Sequence, residues 1–225
     1  ENLNSIDTRG WELNLGTSGN FGNFMYDISG NLSWARSKWR KYDEPIYSDP
    51  DQERIYKREG RWTDVRYGYI SDGLFTSQAE IEALDFTYKD LNGNSSLRPG
   101  DIKYVDLNGD KVLDWKDQKE IGKGTLPTWT YGFNMNFKYH GFDLSALFQG
   151  AFGYTTYIDL TKAASTLKYD NRWTEKENNP NSLVARPGGA STNKYYSDFN
   201  NHNTAYLRLK NLSIGYESVS YTHLR

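Results

Sequence analysis

The chain has 225 residues, a formal net charge of −2 and no cysteine, which sets aside a disulfide framework, thiolate chemistry and any global field for nucleic acid or anionic lipid. Aromatic residues make up 16% of it, yet the mean hydropathy is −0.84, and no apolar run approaches the roughly 18 residues of a membrane helix. Such a composition fits a carbohydrate-binding β protein, or a transmembrane barrel with a polar lumen and large wet loops. With neither an initiating Met nor a signal peptide, the sequence is expected to begin mid-protein or after processing.

The first predicted strand is 11–15, where Trp11, Leu13 and Leu15 alternate with Glu12 and Asn14. Residues 16–23, rich in Gly, Ser and Asn, are predicted to turn. The second strand, 24–34, places Phe24, Tyr26, Ile28, Leu32 and Trp34 on one face, and Met25, Asp27, Ser29, Asn31 and Ser33 on the other. Residues 131–150 predict a hairpin turning at His140-Gly141. In that register Tyr139 faces Phe142, Phe137 faces Leu144, Met135 faces Ala146 and Phe133 faces Phe148. Lys138 then meets Asp143, Asn136 meets Ser145, Gly132 meets Gln149, and only Asn134 opposite Leu147 mixes types. A fifth strand, 205–216, is less regular and is expected to carry a bulge.

Two long irregular segments separate these strands, from about Arg36 to Pro127 and from about Tyr154 to Thr204. Within the first, 76–88 predicts a short helix capped near Thr76 or Ser77, with Glu80 at the box position. Short and long connections alternate strictly along the chain, as they do in a transmembrane barrel with short periplasmic turns and long outer loops.

Residues 104–117 concentrate oxygen donors. Counted as an EF-hand-type loop from Asp106, the ligands are Asp106, Asn108, Asp110, the Val112 carbonyl and Asp117, with Asp114 at the water-bridged position. Lys111 stands where such a loop has Gly, and Asp117 is one methylene shorter than the usual Glu. The same residues suit an Asp/Asn-rich turn stabilised by its own side chains. Both readings, a bound Ca²⁺ and a plain turn, stay open; either is structural and would pin a long outer segment to the rim.

Catalysis finds no support. His140, His202 and His223 lie far apart, no Gly-x-Ser-x-Gly is present, and the carboxylate pairs Glu80/Glu82 and Asp114/Asp117 have no nearby imidazole. Trp11, Trp34, Tyr131, Phe133, Phe148 and Phe152 have two readings, stacking on sugars or facing lipid and its interfaces, and the second is the expectation. Trp39, Trp62, Tyr67, Tyr69, Trp173, Tyr195 and Tyr196, in the loops, are candidates for ligand contact.

Residues 100–153, GDIKYVDLNGDKVLDWKDQKEIGKGTLPTWTYGFNMNFKYHGFDLSALFQGAFG, resemble the C-terminal barrel signature of the SusC/RagA family. Residues 171–181 and 205–216 resemble it too, in the family's order. The family comprises TonB-dependent outer-membrane transporters of Bacteroidetes. The resemblance implies a barrel of about 22 strands around an N-terminal plug. It also implies import of glycans or peptides with a SusD-type surface lipoprotein, powered through the TonB complex. The expected fold is all-β: a partial antiparallel transmembrane barrel of about five strands with two long extracellular loops. Residues 1–216 would be the C-terminal part of that barrel and 217–225 an atypical tail, truncated or artefactual. The TonB complex would act through an N-terminal part that this sequence lacks. The implied location is the outer membrane, with no enzyme activity and no nucleic-acid partner. Ile28, Leu32, Phe133, Met135 and Phe137 should then face lipid, and Asp27, Asn31, Asn134 and Asn136 the lumen. The alternative is a soluble, calcium-stabilised, glycan-binding β module.

Overall fold

A computed structural model describes residues 3–160 and 165–218, so residues 219–225 of the expected atypical tail lie outside the described residues. The chain opens with β1 (Ser5–Phe21) and β2 (Phe24–Lys41), followed by α1 (Pro50–Tyr56), β3 (Arg66–Gly68), β4 (Ser71–Leu74), α2 (Gln78–Glu82) and β5 (Thr87–Tyr88). Next come β6 (Ile102–Tyr104), β7 (Val112–Leu113), β8 (Lys119–Gly122), β9 (Trp129–Tyr139) and β10 (Phe142–Phe152). The last elements are β11 (Thr155–Tyr157), α3 (Ser165–Asn171), β12 (Asn201–Asn203) and β13 (Tyr206–Tyr216). Two compact units result. The sheet unit holds Ile6–Lys38, Leu126–Tyr154 and Thr204–Arg225; the loop unit holds Glu1–Ser5, Trp39–Thr125 and Thr155–Asn203.

The sheet unit is one antiparallel meander in the order β1-β2-β9-β10-β13. The β9–β10 hairpin adopts the predicted register at every pair, Lys138 opposite Asp143 included. His140 and Gly141 make its turn with φ of 48° and 83°, the doubly left-handed geometry that matches strand twist. β1 is much longer than the predicted 11–15. The turn shrinks to Gly22-Asn23, because Gly22 alone supplies the positive φ (60°), and the Gly, Ser and Thr before it extend readily at a sheet edge. β2 likewise continues past Trp34 to Lys41.

The expected bulge sits in β13. Leu147 pairs with Asn211 and Phe148 with Leu209, so Lys210 is the extra residue. Leu212, Ile214 and Tyr216 share one parity and Leu207 and Leu209 the other; a regular strand would place them on opposite faces. The bulge gathers all five on the face that carries Phe142, Leu144, Ala146 and Phe148.

The predicted irregular segments are not irregular. They form four small two-stranded ladders, β3–β8, β4–β6, β5–β7 and β11–β12. They also enclose a core of Leu74, Phe75, Ile81, Tyr88, Leu97, Ile102, Tyr104 and Leu113, joined by Trp173 and Ala185 from the second segment. Backbone bonds tie the two segments together: Leu74 N–H donates to Pro180 O at 3.0 Å and Arg186 N–H to Gly100 O at 2.9 Å. Helix α2 forms where expected. Ser77 Oγ accepts from Glu80 N–H at 3.2 Å, while the Glu80 carboxylate reaches back past the cap to Thr76 N–H at 2.9 Å.

A buried carboxylate fixes this unit. Asp101 is fully buried and accepts from Arg98 N–H (2.9 Å), Ala190 N–H (3.0 Å) and Asn193 Nδ2 (2.8 Å). Arg186 completes the set, its Nη2 donating at 3.2 Å within an ion pair whose Nε lies 3.0 Å from the carboxylate. Three of those four partners come from the far segment, so one charge joins stretches that are remote in sequence.

Candidate functional site

The sheet presents two chemically distinct faces. Cross-strand rows Ile28–Met135–Ala146–Leu212 and Tyr26–Phe137–Leu144–Ile214 lie on the apolar face. Rows Asp27–Asn136–Ser145–Ser213 and Asn31–Gly132–Gln149–Arg208 lie on the polar one. The apolar face stays open: Leu212 is 55% and Ile214 73% exposed. Among the described residues, only Ala146 and Ala151 are buried apolar side chains of this unit.

Aromatic rings edge that face at both ends. Near the tight turns, Phe24 stacks on Phe137 (centroids 5.8 Å apart) and Phe142 meets Tyr216 (4.6 Å). At the other end Trp129 collects Trp11 (5.4 Å), Trp34 (6.4 Å) and Phe152 (5.4 Å). From Phe24 to Trp34 the strand rises about 33 Å at roughly 3.3 Å per residue. A strand tilt of about 40° reduces this to about 25 Å, the height of the apolar band of an outer-membrane barrel.

In the loop unit the candidate aromatics separate into three groups. Tyr69 and Trp173 are core residues, each 7% exposed; Tyr69 stacks on Tyr195 at 4.6 Å and abuts Tyr104 at 5.6 Å. Burial pushes the Tyr69 phenol up to about 12, and it raises Tyr88, Tyr104 and Tyr195 further still. Tyr196 stacks on Tyr157 at 5.2 Å. Trp39, Trp62 and Tyr67 instead line a cavity of about 530 Å³. Sequence alone could not sort these rings, because all sit in stretches without periodicity.

The acidic loop holds itself together through its own backbone. Asp106 accepts from Gly109 N–H (2.8 Å) and Lys111 N–H (2.9 Å), Asn108 from Asp110 N–H (2.9 Å), and Asp110 from Val112 N–H (2.9 Å). Asp117, fully buried, accepts from Leu107 N–H (2.9 Å) and Asp114 N–H (2.8 Å). Its burial, with the Asp106 charge nearby, holds that carboxyl above the usual range against the pull of those N–H groups. Lys111 takes φ of 66°, so it makes the turn for which an EF-hand loop uses Gly. Asn108 and Asp110 touch directly at 2.9 Å. Among the described residues no three His, Cys, Asp or Glu side chains converge as an ion's ligands would.

A meander with an open apolar face, bounded by two aromatic belts and interrupted by long folded loops, is a stretch of transmembrane β-barrel wall. No family model matches the chain. Over 96% of its length it is 29% identical to TonB-dependent receptor P3 of Formosa agariphila, and 25% identical to TonB-dependent receptor P39 of the same organism. It is 23% identical to TonB-dependent receptor SusC of Bacteroides thetaiotaomicron, again over 96% of the chain. It spans 22%, 24% and 21% of those relatives, between a fifth and a quarter of their length. Among solved structures, the RagAB peptide transporter superposes with a TM-score of 0.59 at 18% identity, covering 94% of this chain and 22% of that one. RagAB in its 'closed-closed' state gives 0.56 at 18% identity, over 96% and 23%. The chain is thus SusC/RagA-like: over nearly its whole length it is similar to part of TonB-dependent receptors, and it shares the fold of part of the RagAB barrel.

Proposed function

We propose that this chain forms part of the barrel wall and outer loops of a nutrient importer, through which glycans or peptides pass under TonB control. The carrying observation is the open apolar face between two aromatic belts, which requires acyl chains as its solvent. Residues 1–216 are its barrel portion in this proposal, and a SusD-type surface lipoprotein is its expected partner. The similar proteins are receptors and transporters, which supports a role without covalent chemistry. A soluble glycan-binding module is disfavoured, since water would meet Leu207, Leu212 and Ile214 directly.

Spin labels on cysteines at 28 and 31 of the full-length protein in bilayers test the orientation. Lipid-soluble oxygen should relax the label at 28, and a water-soluble quencher the label at 31. The reverse would overturn the reading.

Ca²⁺ at the acidic loop belongs to the same proposal. Each carboxylate oxygen keeps acceptor capacity beyond its backbone bond, so Asp106, Asn108, Asp110, the Val112 carbonyl and Asp117 would close on the ion after a local rearrangement. Calorimetry on the full-length protein should give binding heat that Asp106→Ala abolishes; identical traces for the two proteins would remove the ion.

A further inference from the structure

The cavity of about 530 Å³ in the loop unit lies within the roughly 300–1,000 Å³ of small-molecule sites, and its lining is one-sided in charge. Lys57, Arg58, Arg61 and Arg66 line it, with no carboxylate among the lining residues. Trp39, Tyr56, Trp62 and Tyr67 supply flat apolar rings between those cations.

Most of this charge is uncommitted. Lys57 pairs with Glu53 at 2.6 Å, but among the described residues Arg58, Arg61 and Arg66 form no salt bridge. Their guanidinium groups are positioned by neutral groups, while the Glu44 carboxylate accepts from the Arg58 backbone N–H at 2.8 Å. Arg58 donates to the Tyr42 hydroxyl at 2.6 Å and lies 4.9 Å from that ring's centroid. Arg61 donates to the carbonyls of Glu53 and Arg54 and to the Tyr67 hydroxyl at 3.3 Å. Arg66 donates to the carbonyls of Thr63 (3.1 Å) and Val65 (3.0 Å). Bonds to carbonyls and phenols fix a guanidinium without cancelling its charge, so three forks are oriented before any ligand arrives.

We propose that this cavity binds an anionic sugar unit, its carboxylate or sulfate taken by Arg58, Arg61 and Arg66 and its ring laid against the aromatic side chains. The rings favour a sugar over an acidic peptide. A pyranose offers a rigid C–H face for stacking beside a fixed anionic substituent, whereas an acidic side chain brings its charge on a flexible stem that must be ordered. The inference deepens the importer reading and rests on it for its consequence: selection of charged glycans at the outer loops.

The test uses the full-length protein in detergent. A chondroitin sulfate hexasaccharide, its desulfated form (which keeps the carboxylates), maltohexaose and penta-glutamate are titrated in parallel. Both charged oligosaccharides should bind about tenfold or more tighter than maltohexaose, the worth of one charge-assisted contact. Arg66→Gln, which removes contacts only to loop carbonyls, should erase about tenfold of that preference. Arg58→Gln, a second variant away from α1's terminal carbonyls, should do the same. Comparing the first two probes shows whether sulfate adds to carboxylate. Equal affinity for charged and neutral sugars, tighter binding of penta-glutamate, or wild-type behaviour of both variants would overturn the proposal. Uptake into TonB-energised cells separates the two readings. Anion binding without energy-dependent uptake of any glycan or peptide refutes the importer and leaves the cavity's ligand standing; energised uptake with no anion preference in binding does the reverse.

Discussion

Tyr104 in the loop unit is 1% exposed, and Ile214 in the sheet unit is 73% exposed. The two units of one chain thus treat apolar side chains in opposite ways. The loop unit folds as a water-soluble protein does, with Phe75, Tyr88 and Leu97 fully enclosed, the Asp101 charge paired with Arg186, and the buried Asp117 held by backbone N–H groups. Among the described residues the sheet unit leaves its apolar face open, as a face does whose apolar partner is a bilayer. The contrast teaches that "inside" is defined by the solvent each segment meets, and that the long loops carry a core of their own rather than trailing as linkers.

The strongest test of this division removes the charge at the centre of the loop unit. Asp101→Ala strands Arg186 and frees three donors, and should cost the loop unit about 3 kcal/mol, the lower end for a broken buried pair because Arg186 keeps some solvent. Hydrogen exchange should speed up across residues 66–122 and 172–201 while β9 and β10 keep their protection. Uniform loosening of both units would break the comparison.

Next in size is a charge placed on the sheet. Ile28→Lys should destabilise the barrel by about 2–4 kcal/mol near the bilayer midplane, and Asn31→Lys by almost nothing. Equilibrium unfolding of the full-length protein from lipid vesicles measures both, and equal costs would mean that the faces are misassigned.

Alkaline pH should act on the loop unit alone. The Tyr69 phenol ionises near 10 when unfolded and at about 12 when folded, since burial opposes its charge. The folded state therefore holds its proton more tightly. Its contribution is complete below pH 10 and is lost as pH rises toward 12, with Tyr88 and Tyr104 acting in the same direction. Ultraviolet titration should find a class of tyrosines that ionises only as the loop unit unfolds.

The smallest expected effect is at the α2 cap. Burial raises the Glu80 carboxyl, but the Thr76 N–H and Lys103 outweigh it and hold the group below its usual range. Stability from Glu80 is thus present above about pH 4.5, its unfolded value, and is lost as pH falls through the lower folded one. Glu80→Gln should cost about 1 kcal/mol at neutral pH and nothing in acid, read from thermal melts at the two pH values.

The sheet was legible in the sequence because alternation and a tight turn both act locally. Phe133, Met135 and Phe137 opposite Phe148, Ala146 and Leu144 fix a register without any distant information. The ends of β1 and β2 were not, since Thr17, Ser18 and Asn20 carry turn-like chemistry yet extend at an edge. The loop core was hidden for a different reason. Leu74, Ile81 and Tyr88 lie on three different short elements and Leu97 on none, so no helix or strand period links them, and the partners that enclose them arrive from a segment some hundred residues away (about 85 to 92 for the Asp101 contacts). The acidic loop was legible as chemistry but not as geometry: its spacing suits an ion and its backbone bonds suit a turn.

β13 is, in effect, two half-strands spliced out of phase, with Lys210 as the splice. The apolar row therefore depends on Lys210 staying out of the ladder: paired in it, the lysine would turn Leu207 and Leu209 to the polar face. Deleting it, by contrast, would bring the two halves into phase, with Leu209 still opposite Phe148 and Leu207 opposite Gly150, so the ladder would lose its bulge and keep its apolar rungs.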